Sequence, residues 1–167
     1  MNKFINVCRA RQENLRNLFP DLAKLEAVDE TPLYQYLAVS VFNHWLSCDE
    51  AEDLLSTVTE EEQKRRNRLF ELFNDKIIQS TEVLHFVRRG NRRNFYKFRD
   101  FTSSQALIDY LHPTSSQRYS VVLPQLKMVY FEGWDDTNVF YLLDCSHKNL
   151  LKKWAEEVGL YTLEKIT

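Results

Sequence analysis

The first eighty residues carry apolar positions at the spacing of amphipathic helices. Residues 3–18 place apolar side chains near one helical face, and Pro20 marks a break. Thr31 followed by Pro32 is a typical helix start, because the hydroxyl can cap and the proline lacks only an N–H that would be unused. The pattern therefore predicts a helix over 32–46, apolar on most sides and buried at the centre of the protein.

Two capping-box pairs, each a hydroxyl residue followed three positions later by a glutamate, open further helices. They are Ser47 with Glu50 and Thr59 with Glu62, and they predict helices over about 48–56 and 60–78.

The second half changes to short runs rich in β-branched and aromatic residues. Strand-like runs at 83–88 and 94–101 flank Gly90-Asn91, which predicts a hairpin. A helix capped by Thr102 follows, and then strands at 119–132 and 138–144 about a turn at 133–137. Ser146 opens a last helix that ends at Gly159, before a final strand over 160–166.

These elements predict an α+β protein. About four helices form an N-terminal layer over 1–80, and residues 81–167 form an antiparallel-rich α/β sandwich, within one continuous domain. From residue 94 onward the order β-α-β-β-α-β matches the connectivity of ferredoxin-like folds. Topology of this kind hosts many functions, so it supplies no chemistry by itself.

Charge is distributed unevenly along the chain. The segment 85–100 holds six cationic residues and one acid, net +5, which leaves 16 basic and 23 acidic residues elsewhere, net −7. This asymmetry favours an acidic partner, whereas the overall charge of −2 argues against a general nucleic-acid coat protein.

The basic hairpin is the leading candidate binding site. Strand alternation predicts Phe95, Lys97 and Arg99 on one face, with Tyr96 and Phe98 in the core. The remaining predicted binding residues are the tip arginines Arg88, Arg89, Arg92 and Arg93, with Trp134 as a contact anchor in a turn. The competing interpretation is that the arginines only protect an exposed edge and neutralise nearby carboxylates.

Other chemistry has weaker support. Asp135 and Asp136, with Glu132 and Asp144 nearby, could hold Mg²⁺ in a nuclease, although aspartate is also a common turn residue. The pairs His44/Cys48 and Cys145/His147 would have to meet in space to bind zinc. With three glycines, the chain lacks the loops that cradle nucleotide phosphates, and we expect neither a cofactor nor a resident metal.

The sequence thus predicts a non-enzymatic cytoplasmic interaction protein that binds an acidic partner protein through the hairpin. A nucleic-acid-binding protein that uses the same surface is the alternative, and a metal-dependent nuclease ranks third. Three widely separated cysteines suit reduced thiols, and no run approaches the ~20 apolar residues of a membrane span. An exposed edge strand could also pair with a second copy in a homodimer.

Overall fold

The protein is an α+β fold in which helices pack on both faces of an antiparallel sheet. The computed structural model describes residues 2–29, 31–90, 95–113 and 117–166. These residues form one eight-stranded sheet in the order β1-β4-β3-β5-β6-β7-β2-β8. The strands are β1 (Phe4–Asn6), β2 (Gln35–Ser40), β3 (Leu84–Arg88), β4 (Tyr96–Phe101), β5 (Ser120–Leu123), β6 (Met128–Phe131), β7 (Thr137–Leu142) and β8 (Tyr161–Glu164).

Helices lie between several of these strands in the order of the sequence. They are α1 (Arg9–Leu18), α2 (Leu22–Glu26), α3 (Cys48–Ala51) continued by a π-helical turn (Glu52–Ser56), α4 (Glu60–Ser80), α5 (Ser104–Tyr110) and α6 (Lys148–Val158). Short 3-10 turns lie at Pro124–Leu126 and Cys145–His147. Within the described ranges, no helix is both long and apolar enough to cross a membrane.

The predicted central helix over 32–46 is wrong, because residues 35–40 form strand β2. This strand lies between β7 and β8, and Leu37, Ala38 and Val39 are fully buried. A strand covered on both faces is apolar at consecutive positions, and its periodicity then resembles that of a buried helix.

The predicted N-terminal helical layer and ferredoxin-like order also need correction. Residues 4–6 of the expected first helix form strand β1, so the first half of the chain contributes two strands to the sheet. The run 119–132 is two strands broken by the turn at Pro124, which places three strands rather than two between α5 and α6. The ferredoxin-like arrangement is therefore not confirmed.

Several local predictions are confirmed. Ser47 and Glu50 form the expected capping box, and the Thr59 hydroxyl accepts a hydrogen bond from the Glu62 N–H. Gly159 ends α6 at φ 91°, a conformation that favours glycine. The caps of two later helices lie elsewhere: Ser103 rather than Thr102 caps α5. Ser146 does not cap α6 but donates its N–H to the Asp144 carboxylate.

The sheet separates two apolar layers. On one face α4, α5 and α6 enclose the larger cluster, which includes Phe73, Ile77 and Trp154. On the other face α1 and α2 cover the β4-β3-β5 end with Leu15, Phe19 and neighbouring residues. At the β6-β7-β2 end of this second face, the apolar side chains of Phe131, Val139 and Tyr36 are only half-buried.

A buried hydrogen-bond network joins the helical layer to the sheet. The Asn74 amide of α4 donates to Tyr119 Oη at 3.1 Å and accepts from Tyr130 Oη at 2.8 Å. The Asn138 amide donates to the same two hydroxyls at 2.8 and 2.9 Å and accepts from the Gly133 N–H at 3.0 Å. Because these polar groups are buried and satisfied together, they fix the register of β5, β6 and β7 against α4.

The predicted turn at 133–137 is confirmed and is tied to α4. Asp135 and Asp136 have φ near 60° and 54°, and Thr137 N–H closes the turn onto Trp134 O at 3.2 Å. Asp136 Oδ2 accepts from the buried Arg66 guanidinium at 3.0 Å. Arg66 also donates to Glu62 and to the Leu54 carbonyl, so one guanidinium connects three segments.

We expect Asp136→Asn to lower the free energy of unfolding by about 2 kcal/mol, because the buried Arg66 guanidinium loses one of its two carboxylate partners. Urea unfolding followed by circular dichroism measures the change. Asp135→Asn is the matched control, since it alters the exposed neighbour in the same turn and keeps a residue tolerant of positive φ. Equal losses of stability in the two variants would show that the turn, rather than the ion pair between Arg66 and Asp136, determines the change in the free energy of unfolding.

Candidate functional site

The basic hairpin forms as predicted. β3 and β4 pair from His85↔Arg99 to Arg88↔Tyr96, and Arg89 N–H bonds to Phe95 O at 2.9 Å. Tyr96 and Phe98 are buried in the core as expected, while Arg88 and Arg89 are exposed. The predicted binding residues Arg92 and Arg93 lie outside the described residues.

A cleft opens beside this hairpin because β3 and β5 stop pairing before the end of β3. Their pairing ends at His85↔Val121, although β3 continues against β4 to Arg88. The Tyr110 hydroxyl accepts from the Ser120 N–H at 3.1 Å and lies 3.4 Å from the Ser120 carbonyl, on the β5 edge that faces β3. The resulting space of about 820 Å³ lies between β3 and residues 117–120.

We call this space the basic cleft, since Lys3, Arg88, Arg99 and Arg118 line it. Its two carboxylates are already hydrogen-bonded within the protein. Glu26 accepts from the Tyr96 hydroxyl at 2.8 Å, and Asp109 accepts from the Gln105 amide at 2.8 Å. The cleft is therefore cationic on balance and suited to an anion.

Among the described residues, most arginines of α1 and α4 have a carboxylate within ion-pair distance; these are Arg9, Arg11, Arg65, Arg66 and Arg68. Arg16 of α1 instead donates to the Tyr96 carbonyl at 2.8 Å. No ion pair with a carboxylate involves the lining cations of the basic cleft or Arg89 in the same described ranges of the chain. Neutralisation of nearby carboxylates thus does not explain these arginines.

Arg99 is held inside the cleft by aromatic neighbours. Its guanidinium lies 4.1 Å from the centroid of the Phe4 ring and donates to His85 Nδ1 at 3.3 Å. Burial and the charge of Arg89 lower the pKa of Arg99, so the two cations lie close enough to repel. Burial, and then the Arg99 charge, lower the pKa of His85 to about 4, which keeps its imidazole neutral at pH 7.

The other predicted binding residues are dispersed. The Phe95 ring lies 4.3 Å from the guanidinium carbon of Arg16. Lys97 is half-buried on β4. Trp134 lies in the β6–β7 turn, 76% exposed, with the Arg118 guanidinium over its ring. Arg118 is thus the residue that connects the basic cleft to Trp134.

A second concavity lies next to the cleft, over strands β6, β7 and β2, with Leu25 and Glu26 of α2 at its border. It encloses about 610 Å³, and the segment 41–55 after β2 forms one wall. We call it the aromatic pocket because its lining includes the rings of Tyr36, Phe42, Trp45, Phe131, Trp134 and Tyr141. Trp45 Nε1 donates to the Glu164 carbonyl at 2.7 Å, which fixes that indole.

Glu132 is the unusual ionisable group of the aromatic pocket. Burial raises the pKa of its carboxyl to about 7, despite a hydrogen bond from the Tyr119 N–H at 3.3 Å and the nearby Arg118 charge. A half-buried carboxyl that titrates near neutrality in a concave site is a common mark of function.

The structure does not gather the acidic residues into a metal site. Asp136 is bonded to Arg66 and Gln63, while Asp144 accepts from the Ser146 N–H. His44, expected on a helix with Cys48, instead precedes α3 and bonds to Glu50 at 2.8 Å. Within the described ranges, no three His, Cys, Asp or Glu side chains are placed to hold a metal ion.

No protein family, known protein or solved structure shows significant similarity to this chain. Its function therefore has to be argued from the two concave sites themselves.

Sequence reasoning missed the residues that give each site its character. Arg118 and Lys3 are isolated in the sequence; the pairing of β1 with β4 brings Lys3 to the hairpin, and the separation of β3 from β5 leaves Arg118 facing it. The aromatic richness of residues 34–45 was a visible signal, but its assignment to a helix concealed the pocket that β2 and the following segment form.

Because the pKa of Glu132 is raised on folding, its stabilising contribution is complete at low pH and is lost as the pH rises through about 7. Glu132→Gln removes the charge, so we expect it to raise stability relative to the native protein above that pH, on the order of 1 kcal/mol after allowance for solvent. Urea unfolding at several pH values measures this difference. A difference that does not grow with pH would contradict the assignment.

Proposed function

We propose that this protein is a non-enzymatic cytoplasmic interaction protein that binds an acidic partner protein in the basic cleft. The supporting observation is the set of unpaired cations, Lys3, Arg88, Arg99 and Arg118, in one concave space. Most described arginines of α1 and α4 are paired with carboxylates, so charges left unpaired and mutually repelling are suited to an external anion.

The shape of the cleft favours a protein segment. β3 runs on to Arg88 after its pairing with β5 has ended, so part of its β5-facing edge lies along the cleft. An extended acidic segment could add backbone hydrogen bonds to this edge while its carboxylates meet the arginines. The three cysteines, all exposed and unbridged, suit the reducing compartment in this proposal.

Nucleic acid is the second candidate, because Arg88 and Arg89 are exposed on a two-stranded ribbon. One observation favours protein over it. The Phe95 ring, the expected stacking platform for a base, already has the Arg16 guanidinium 4.3 Å from its centroid. A homodimer through the sheet edges β1 or β8 stays a prediction.

A fluorescein-labelled glutamate-rich peptide tests the proposal by fluorescence anisotropy, with labelled single-stranded RNA and double-stranded DNA measured alongside. We expect the peptide to bind and Arg88→Gln/Arg89→Gln to weaken it about tenfold, as the loss of two charged contacts implies. Arg65→Gln/Arg68→Gln is the matched control, since it removes two exposed but paired arginines from α4.

Equal loss in both double variants would show a general charge effect and reject the site. No peptide binding, together with nucleic-acid binding that falls steeply and log-linearly with salt, would replace the proposal with the second candidate. Cleavage of the labelled nucleic acids only when Mg²⁺ is added would favour the third, a nuclease.

A further inference from the structure

The aromatic pocket has the chemistry of a binding site for an organic cation. Aromatic side chains on three neighbouring strands form its floor: Tyr36 of β2, Phe131 of β6 and Tyr141 of β7. The ring centroids of Tyr36 and Tyr141 are 5.7 Å apart at 79°, and those of Phe131 and Tyr141 are 5.8 Å apart at 85°. Such edge-to-face contacts hold the rings in place, and Tyr36 and Phe131 are half-buried rather than fully covered.

The charged groups at the pocket are mostly acidic. Glu26, Glu132 and Asp135 line it, against the single guanidinium of Arg118. His44 also lines it, with Nε2 2.8 Å from Glu50 Oε1. Arg118 already lies over Trp134, so a cation of the protein itself occupies one aromatic face of this pocket.

Glu132 supplies the polar contact within the apolar surroundings. Its Oε2 accepts from the Tyr119 N–H, whereas no hydrogen bond to its Oε1 is found among the described residues. An acceptor at the edge of an aromatic floor suits an N–H donor that carries positive charge. The volume of about 610 Å³ is that of a small-molecule site.

We infer that the aromatic pocket binds a primary ammonium group with an apolar body, with Glu132 as its counter-ion and the rings of Tyr36, Tyr141 and Trp45 around it. Either a free amine or a lysine side chain of a peptide has this chemistry. The inference does not depend on the basic cleft, because the two sites bind opposite charges.

Isothermal titration calorimetry with phenethylamine tests the inference, and 2-phenylethanol is the neutral probe of similar shape. We expect the amine to bind and the alcohol to bind at least tenfold more weakly. Nα-acetyl-lysine amide is the peptide-like arm: tighter binding of phenethylamine indicates a free amine as ligand, and the reverse indicates a lysine side chain. Equal affinity for phenethylamine and 2-phenylethanol, or no heat from either amine at roughly 10 mM, would overturn the inference.

The pH dependence identifies the counter-ion. With the pKa of Glu132 at about 7, its ionised fraction, and hence amine affinity, rises about tenfold between about pH 6 and about pH 8. The charged and titratable groups around it are Arg118, Glu26, Asp135, His44 and the hydroxyls of Tyr110, Tyr119 and Tyr130. The tyrosines stay neutral in this range because burial raises their pKa, and His44 is the imidazole that lines the pocket.

Glu132→Gln should abolish the pH dependence and weaken amine binding, whereas His44→Gln should retain both. Loss of the pH dependence in His44→Gln instead would reject Glu132 as the counter-ion. Tyr36→Leu keeps an apolar side chain but removes a ring, so it should weaken phenethylamine more than 2-phenylethanol. Circular dichroism of each variant shows that the fold is intact, and Glu156→Gln on α6 is the remote control.

Discussion

The buried network of Asn74, Tyr119, Tyr130 and Asn138 is the interaction on which both concave sites depend. Each amide bonds to both tyrosine hydroxyls, so α4 and three strands can satisfy these polar groups only in one register. The network also sets the start of β5 and the turn after β6. Arg118 directly precedes Tyr119 of this network, and Glu132 directly precedes Gly133, whose N–H bonds to Asn138. The network therefore fixes the positions of both residues.

The basic cleft follows from a second constraint, the insertion of Tyr110 at the edge of β5. Its hydroxyl bonds to the Ser120 N–H where β3 would otherwise continue to pair. The sheet is therefore opened locally, and the cations of four separate segments face the gap. An ordinary continuous ladder would have placed Arg88 opposite Arg118 across a closed pair of strands, where their repulsion would be unfavourable.

Both sites contain charged groups that lower the stability of the folded protein. Unpaired arginines repel one another at the cleft, and Glu132 is destabilising when it ionises in its half-buried position. Arg66 of α4 shows the opposite behaviour, since Asp136 and Glu62 neutralise its buried charge. The two sites are adjacent, share Arg118, and differ in the sign of the charges that line them.

The sequence by itself determined the local elements whose signals lie within a few residues. It was sufficient to predict the caps at Ser47 and Thr59, the helix end at Gly159 and the hairpin of β3 and β4. It also predicted that Tyr96 and Phe98 are buried. Caps, turns and strand alternation are all determined by residues close together in the chain. Only the tertiary structure decided that 35–40 is a strand, since an apolar run covered on both faces has no diagnostic period. The tertiary structure alone also placed Arg118 beside the hairpin and Glu132 among aromatic rings. Those contacts join residues far apart in the chain, and they depend on the register of the sheet, which a single sequence does not encode locally.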